Sequence, residues 1–190
     1  MYKVILKVKV YIDCSVLRFY LTRLITQYNL LPLRINDLME NSLISKLLTQ
    51  YRQKRNQAEA LSYEQFEQLL LFFPGLLITA SDGVVDDEEW VYIKYLAKFT
   101  SSIFNESLSK GELLALQDSY FKEFKYLLEN LEEWESIFIE TLRQYLEENE
   151  DLKDSVSDAL YLFADASGGT SEEEEEAIKR LTQMLALNQN

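Results

Sequence analysis

The sequence predicts an all-α protein, a compact bundle of about seven helices. Three observations carry that prediction. Five Gly and two Pro in 190 residues leave few places where a helix must stop. Apolar residues recur at helical spacing through most of the chain rather than alternating. Serines stand three residues ahead of Gln or Glu at the mouths of apolar runs, the pattern of a capping box. With 47% apolar and 13% aromatic residues, the chain is hydrophobic enough to bury a core and too hydrophobic for disorder.

The first 38 residues are set apart by composition. They hold six basic residues (Lys3, Lys7, Lys9, Arg18, Arg23, Arg34) and two acidic ones (Asp13, Asp37), a net of +4, while residues 39–190 carry a net of -17. "MYKVILKVKVYIDC" alternates like a strand before "VLRFYLTRLITQYNLLPL" turns apolar and aromatic. Lys7 and Lys9 break the run that a signal peptide needs, and Arg18 and Arg23 interrupt the segment before a membrane span of about 20 residues is reached. A basic helix lying on a membrane surface is the one membrane role left to it. The sequence favours a plainer account: residues 1–38 are an N-terminal extension of doubtful order, upstream of a natural start at Met39, and residues 39–190 are the domain.

Helical periodicity begins at once after Met39. Ser42 to about Asn56 presents Leu43, Leu47, Leu48 and Tyr51 on one face. "SYEQFEQLLLFFPGLLITA" opens with Ser62 and Gln65 as a capping box, and its apolar interior marks it as the central buried helix. Pro74 should kink it or divide it in two. Asp86 to about Thr100 is the next helix, with Trp90, Ile93, Leu96 and Ala97 inward. After a polar link, Ser109 and Glu112 cap "ELLALQDSYFKEFKYLL", and "EEWESIFIETLRQYLEEN" follows a break near Asn130. "SVSDALYLFADAS", a Gly-Gly turn and "SEEEEEAIKRLTQMLAL" complete the set. Aromatics such as Trp90, Tyr92, Tyr95, Phe121, Phe124, Trp134 and Phe138 fall at helical spacing and read as core. Any found exposed together would mark a partner surface.

Charge and composition exclude several functions. A formal net of -13 repels phosphate backbones and argues against nucleic-acid binding, while favouring cations and basic partners. The chain has no histidine, which removes the usual general base, every Ser-His or Cys-His pair within one chain, and His-containing zinc sites. A metal here would need oxygen ligands and would be a hard ion such as calcium, magnesium or manganese. The lone Cys14 allows no intramolecular disulfide and fits a reducing cytoplasm. No Gly-rich phosphate loop and no nucleophile-base arrangement is present, so the chain reads as non-enzymatic.

One motif occurs twice. "TASDGVVDDEEW" joins an apolar helix to an acidic helix start, and an ungapped offset of 85 residues pairs Leu96 with Leu181, Ile93 with Ile178, Glu89 with Glu174 and Gly83 with Gly168. An internally duplicated helical fold with two-fold pseudo-symmetry is the economical explanation. "ITASDGVVDDEEWVYIKYLA", followed by the weaker "YLFADASGGTSEEEEEAIKRLT", resembles the bacterial tellurite-resistance TerB family and its wider TerB-like superfamily, from roughly Ser42 to the C-terminus. The resemblance implies a cytoplasmic helical stress-response module, with partner proteins from the same response and with divalent-metal binding through the acidic turns.

Two accounts of those turns stand. Read as EF-hand loops, they supply Asp82 and Glu89 from the first copy and Asp165 and Glu174 from the second. Ile78 and Ala80 leave the first loop incomplete, so these four carboxylates would have to converge between the halves to hold one divalent cation. Ser167 stands where the family has its second Asp, and the site loses a charge there. Alternatively, Asp86 and Ser171 are N-caps, Glu89 and Glu174 are their capping-box partners, and Gly83 and Gly168 serve turns that need positive φ. The first account gives a cation-gated binding module and the second a protein-interaction adaptor without a metal.

Overall fold

A computed structural model describes residues 42–55, 61–81, 87–166 and 172–187, without the side chains of 87–89, 158 and 161–166. Among the described residues seven α-helices follow one another: α1 Leu43–Arg55, α2 Tyr63–Thr79, α3 Asp87–Ser102, α4 Lys110–Glu129, α5 Leu131–Glu148, α6 Lys153–Ala166 and α7 Glu172–Met184. A short 3-10 turn, Glu150–Leu152, precedes α6, and no strand occurs among the described residues. The helical class and the number of helices are those the sequence predicts.

The helix starts have local causes. Ser62 Oγ accepts from the Gln65 amide at 3.2 Å while the Ser62 amide donates to Gln65 Oε1 at 2.9 Å, so the expected capping box opens α2. Ser109 and Glu112 do the same for α4, at 3.4 and 2.8 Å. Hydrogen bonding to Ser109, through its hydroxyl first and its backbone amide second, holds the Glu112 carboxyl below its ordinary pKa. At its other end, α7 closes with a Schellman-type turn: the Leu187 amide donates to the Thr182 carbonyl at 3.0 Å and Ala186 takes φ 50°. Alanine in that left-handed region is strained by about 1 kcal/mol, since its Cβ approaches the following carbonyl.

Helix α2 is the centre of the bundle and touches each of the other six helices. Leu69 to Ile78 is buried without interruption, which is why its sequence shows no polar face. Pro74 lies inside this helix and does not divide it, contrary to one form of the expectation. A proline removes one backbone hydrogen bond and crowds the preceding turn, at a cost of about 3 kcal/mol. Neighbours packed on every side of α2 outweigh that cost.

One connected core surrounds α2. At one end Tyr51, Phe66, Trp134 and Phe138 meet edge to face or tilted, with Tyr51 and Trp134 centroids 5.0 Å apart. Phe73 stands 4.7 Å from Phe138 and continues the cluster along α2. Helices α3 and α4 form the most extensive pair, an antiparallel hairpin on the flank of α2. The helix pairs expected on either side of the two acidic turns, α2 with α3 and α6 with α7, are both present and each pair is in contact.

Candidate functional site

The acidic turns lie largely outside the described residues. Asp82 is not described; Glu89 belongs to the first turn of α3 and Asp165 to the end of α6, with side chains that are not described. Glu174 sits in the first turn of α7, half-buried among Glu172, Glu173 and Glu175. Among the described residues no three Asp, Glu or Cys side chains gather closely enough to hold a metal ion. The convergence of Asp82, Glu89, Asp165 and Glu174, and the caps at Asp86 and Ser171, fall outside what the structure describes.

Elsewhere, the described charges sort into satisfied and unsatisfied groups. The most buried carboxylate, Glu123 on α4, takes a bidentate pair of bonds from Arg55 on α1, both 3.0 Å, and a third from the Tyr51 hydroxyl at 2.6 Å. The Arg55 guanidinium lies 4.2 Å from the Tyr126 ring centroid, and the Tyr126 hydroxyl accepts from Trp134 Nε1 at 3.3 Å. Burial, with the Glu123 charge behind it, pushes the Tyr51 phenol far up. Burial works against the Arg55 charge, yet the hydrogen bonds and charge of Glu123 more than offset it and raise its pKa. Both Glu123 oxygens and the Tyr51 hydroxyl are engaged within the protein, so this network ties α1 to α4 and offers nothing to a ligand.

Glu67 on α2 is a second, half-buried carboxyl. Burial raises its pKa, and the hydroxyl of Tyr145, which donates to it, pulls the other way. A Tyr145 donor and a Glu64 neighbour make no acid-base pair with a nucleophile. Among the described residues, three buried oxygens have no hydrogen-bond partner: Gln68 Oε1 on α2, Ser157 Oγ on α6 and Thr182 Oγ1 on α7. Each is a buried acceptor on one of three helices that touch one another.

The unsatisfied apolar surface is concentrated on the α3–α4 hairpin. Four large hydrophobic side chains are exposed among the described residues, and three of them are Val91 (47%), Tyr95 (48%) and Leu114 (56%). Val91 and Tyr95 are one turn apart on α3. The hairpin register follows from its ring contacts: Trp90 lies 6.2 Å from Phe121, Lys94 Nζ is 5.9 Å from the Phe121 centroid, and Lys125 Nζ is 5.9 Å from that of Trp90. Continued toward the hairpin link, that register brings Leu114 alongside Lys98. Tyr95, expected in the core, is therefore a surface residue, and Trp90 is only half-buried. Ile93, Leu96 and Ala97 take the inward stripe of α3, and the 3.6-residue period then turns Tyr95 away from them. The sequence did not single out Val91 or Leu114, because a lone apolar residue on a helix surface has no distinctive neighbours in the chain.

No family model matches this chain, and no curated protein and no solved structure matches it. The fold defines the class, a seven-helix bundle among the described residues. The TerB resemblance rests on the two turn motifs alone. No helix among the described residues is long and apolar enough to cross a membrane.

Proposed function

We propose that the chain is a non-enzymatic, TerB-like binding module that docks another protein on the outer face of the α3–α4 hairpin. The observation that carries this reading is the exposure of Val91, Tyr95 and Leu114 on the α3–α4 hairpin, over a packed core. Apolar side chains exposed in a group, rimmed by polar ones, are the usual mark of an interaction surface. The saturation of the Glu123 network supports binding over catalysis, since the most buried acid is already committed to Arg55 and Tyr51. A stress-response setting is drawn from the sequence resemblance.

The test is a photoreactive side chain in place of Tyr95, with the same group at exposed Gln183 on α7 as control. A discrete protein adduct at Tyr95, competed by unlabelled protein and not by a Val91→Ser, Tyr95→Ser, Leu114→Ser variant, is the expected result. Equal labelling at both positions would remove the proposal.

The cation reading of Asp82, Glu89, Asp165 and Glu174 is supported by the repetition of the acidic turn in the sequence. It is tested by thermal unfolding with chelator and then with millimolar calcium, magnesium or manganese. A native-state ligand at about 100 times its Kd adds about 2.7 kcal/mol. The midpoint should rise with one ion and fail to rise in an Asp82→Asn, Glu89→Gln variant. No rise with any ion leaves the acids as helix caps and the module as a metal-free adaptor.

A further inference from the structure

We infer that the occupant of this face is a second copy of the chain, seated helix α3 on helix α3 and antiparallel about a two-fold axis, an inference that rests on the docking reading above. Among the described residues of α3, Val91, Lys94, Tyr95 and Lys98 are exposed, while Ile93, Leu96, Ala97 and Thr100 are buried. Three positions before Val91, Glu88 belongs to the first turn of the same helix. Glu88, Val91, Tyr95 and Lys98 therefore follow at steps of three, four and three, the spacing that keeps residues on one helix stripe and seams two helices together. The stripe runs acid, apolar, apolar, base.

Reversed, that order is its own complement. Antiparallel pairing centred midway between Val91 and Tyr95 sets Val91 against Tyr95 of the second copy and Glu88 against its Lys98, each contact occurring twice, as a two-fold requires. A parallel pair would set Glu88 against Glu88 and Lys98 against Lys98, and like charges so placed repel. Neither charge has a partner by spacing within its own helix. No acid stands three or four residues from Lys98, and no base stands three or four from Glu88. Asp87 and Lys94 repeat the polarity, acid before base, on the adjoining row.

The internal repeat offers a comparison within the same chain. At the 85-residue offset Ile178, Leu181 and Thr182 are buried as Ile93, Leu96 and Ala97 are, so α7 keeps the register of α3. At the places of Val91 and Tyr95, α7 carries Glu176 and Arg180, both exposed, with Arg180 paired to Glu135 at 3.1 Å. The helix thus has no structural need of apolar residues at these two positions, and α3 alone has them. A stripe of 16 residues is about 24 Å long, and a contact of that length buries less than the roughly 1,600 Å² of a standard interface. Two chains of net -13 also repel one another outside the contact. The dimer is accordingly weak and dependent on concentration.

Sedimentation of the full chain from about 5 to about 500 µM tests the pairing, over concentrations suited to a small interface. The full chain should pass from monomer to dimer, and Glu88→Lys or Lys98→Glu should each weaken the dimer at least about ten-fold. Mixing the two variants should restore it, since every facing pair is then opposite in charge, and that recovery also shows that both are folded. Glu173→Lys, at the place of Glu88 in α7, should leave the dimer unchanged. A chain that stays monomeric throughout, single variants that dimerise as the parent does, or a mixture that stays monomeric overturns the second copy as occupant. The Tyr95 photo-adduct should have twice the mass of the chain. An adduct to a different protein overturns the second copy and leaves the docking reading standing, whereas no discrete adduct removes the docking reading itself.

Discussion

Helix α4 carries two faces with opposite habits. Its inner face places Glu123 among Arg55 and Tyr51, close to Tyr126 and Trp134, with every charge answered inside the protein. Its outer face leaves Leu114 and Lys122 exposed, as Tyr95 and Lys98 are on α3. The buried side looks more chemical, with an ion pair and a perturbed phenol, and is the structural one. Shifted ionisation accompanies functional sites, but structural ion-pair networks produce it as well.

The largest break in that comparison is on the inner face. Trp134→Ala empties a fully buried site in the aromatic cluster and should cost about 3 to 5 kcal/mol in chemical denaturation. Glu123→Ala should cost a similar amount, about 3 to 5 kcal/mol, because it strands the Arg55 charge and the Tyr51 hydroxyl. Adding Arg55→Met and Tyr51→Phe should restore most of it. If the triple variant is no better than Glu123→Ala alone, the cost is lost packing and not an unanswered charge.

Next comes a pH effect at Glu67. Burial raises its pKa above the ordinary 4.5, so the folded state holds this proton more tightly than the unfolded chain. Stability from this group accordingly increases as pH falls through the folded pKa toward about 4.5, and is level below that. In Glu67→Gln the increment should vanish, and in Tyr145→Phe the carboxyl should titrate higher still. A carboxyl-carbon NMR titration reads both, and an unshifted Glu67 would contradict the burial argument.

Smaller effects follow. Thr182→Val replaces an unpartnered buried hydroxyl with an isostere and should be neutral or stabilising by up to about 1 kcal/mol. A loss of more than that in thermal unfolding would mean that the hydroxyl is bonded to ordered water. Ala186→Gly relieves the left-handed residue after α7 and should add about 1 kcal/mol.

The fold was legible because its signals are local. Ser62 with Gln65 and Ser109 with Glu112 announce helix starts within four residues, and the apolar run from Leu69 to Ile78 announces a helix with no outside. The inner network was not legible: Glu123 meets Arg55 across 68 residues and Tyr51 across 72, and nothing near any of them in the chain implies the meeting. Tyr95 is a different case. Its helix and inward stripe were evident, and Tyr95 was counted with the core aromatics although the period that buries Ile93, Leu96 and Ala97 turns it outward. The four acidic-turn residues were named from a repeat in the sequence, and Asp82, with the side chains of Glu89 and Asp165, falls outside the described residues.

The most direct measurement of the central claim compares the full chain with its Val91→Ser, Tyr95→Ser, Leu114→Ser variant in two readouts, thermal unfolding and photocrosslinking from Lys98. Exposed side chains away from the core contribute little to folding, so the melting midpoint should move by no more than the equivalent of about 0.5 kcal/mol per site. The protein adduct should nevertheless disappear. A variant that unfolds well below the parent would show these residues to be part of the packed body, and an adduct that survives intact would show that the outer face of α3 and α4 is not where the partner docks.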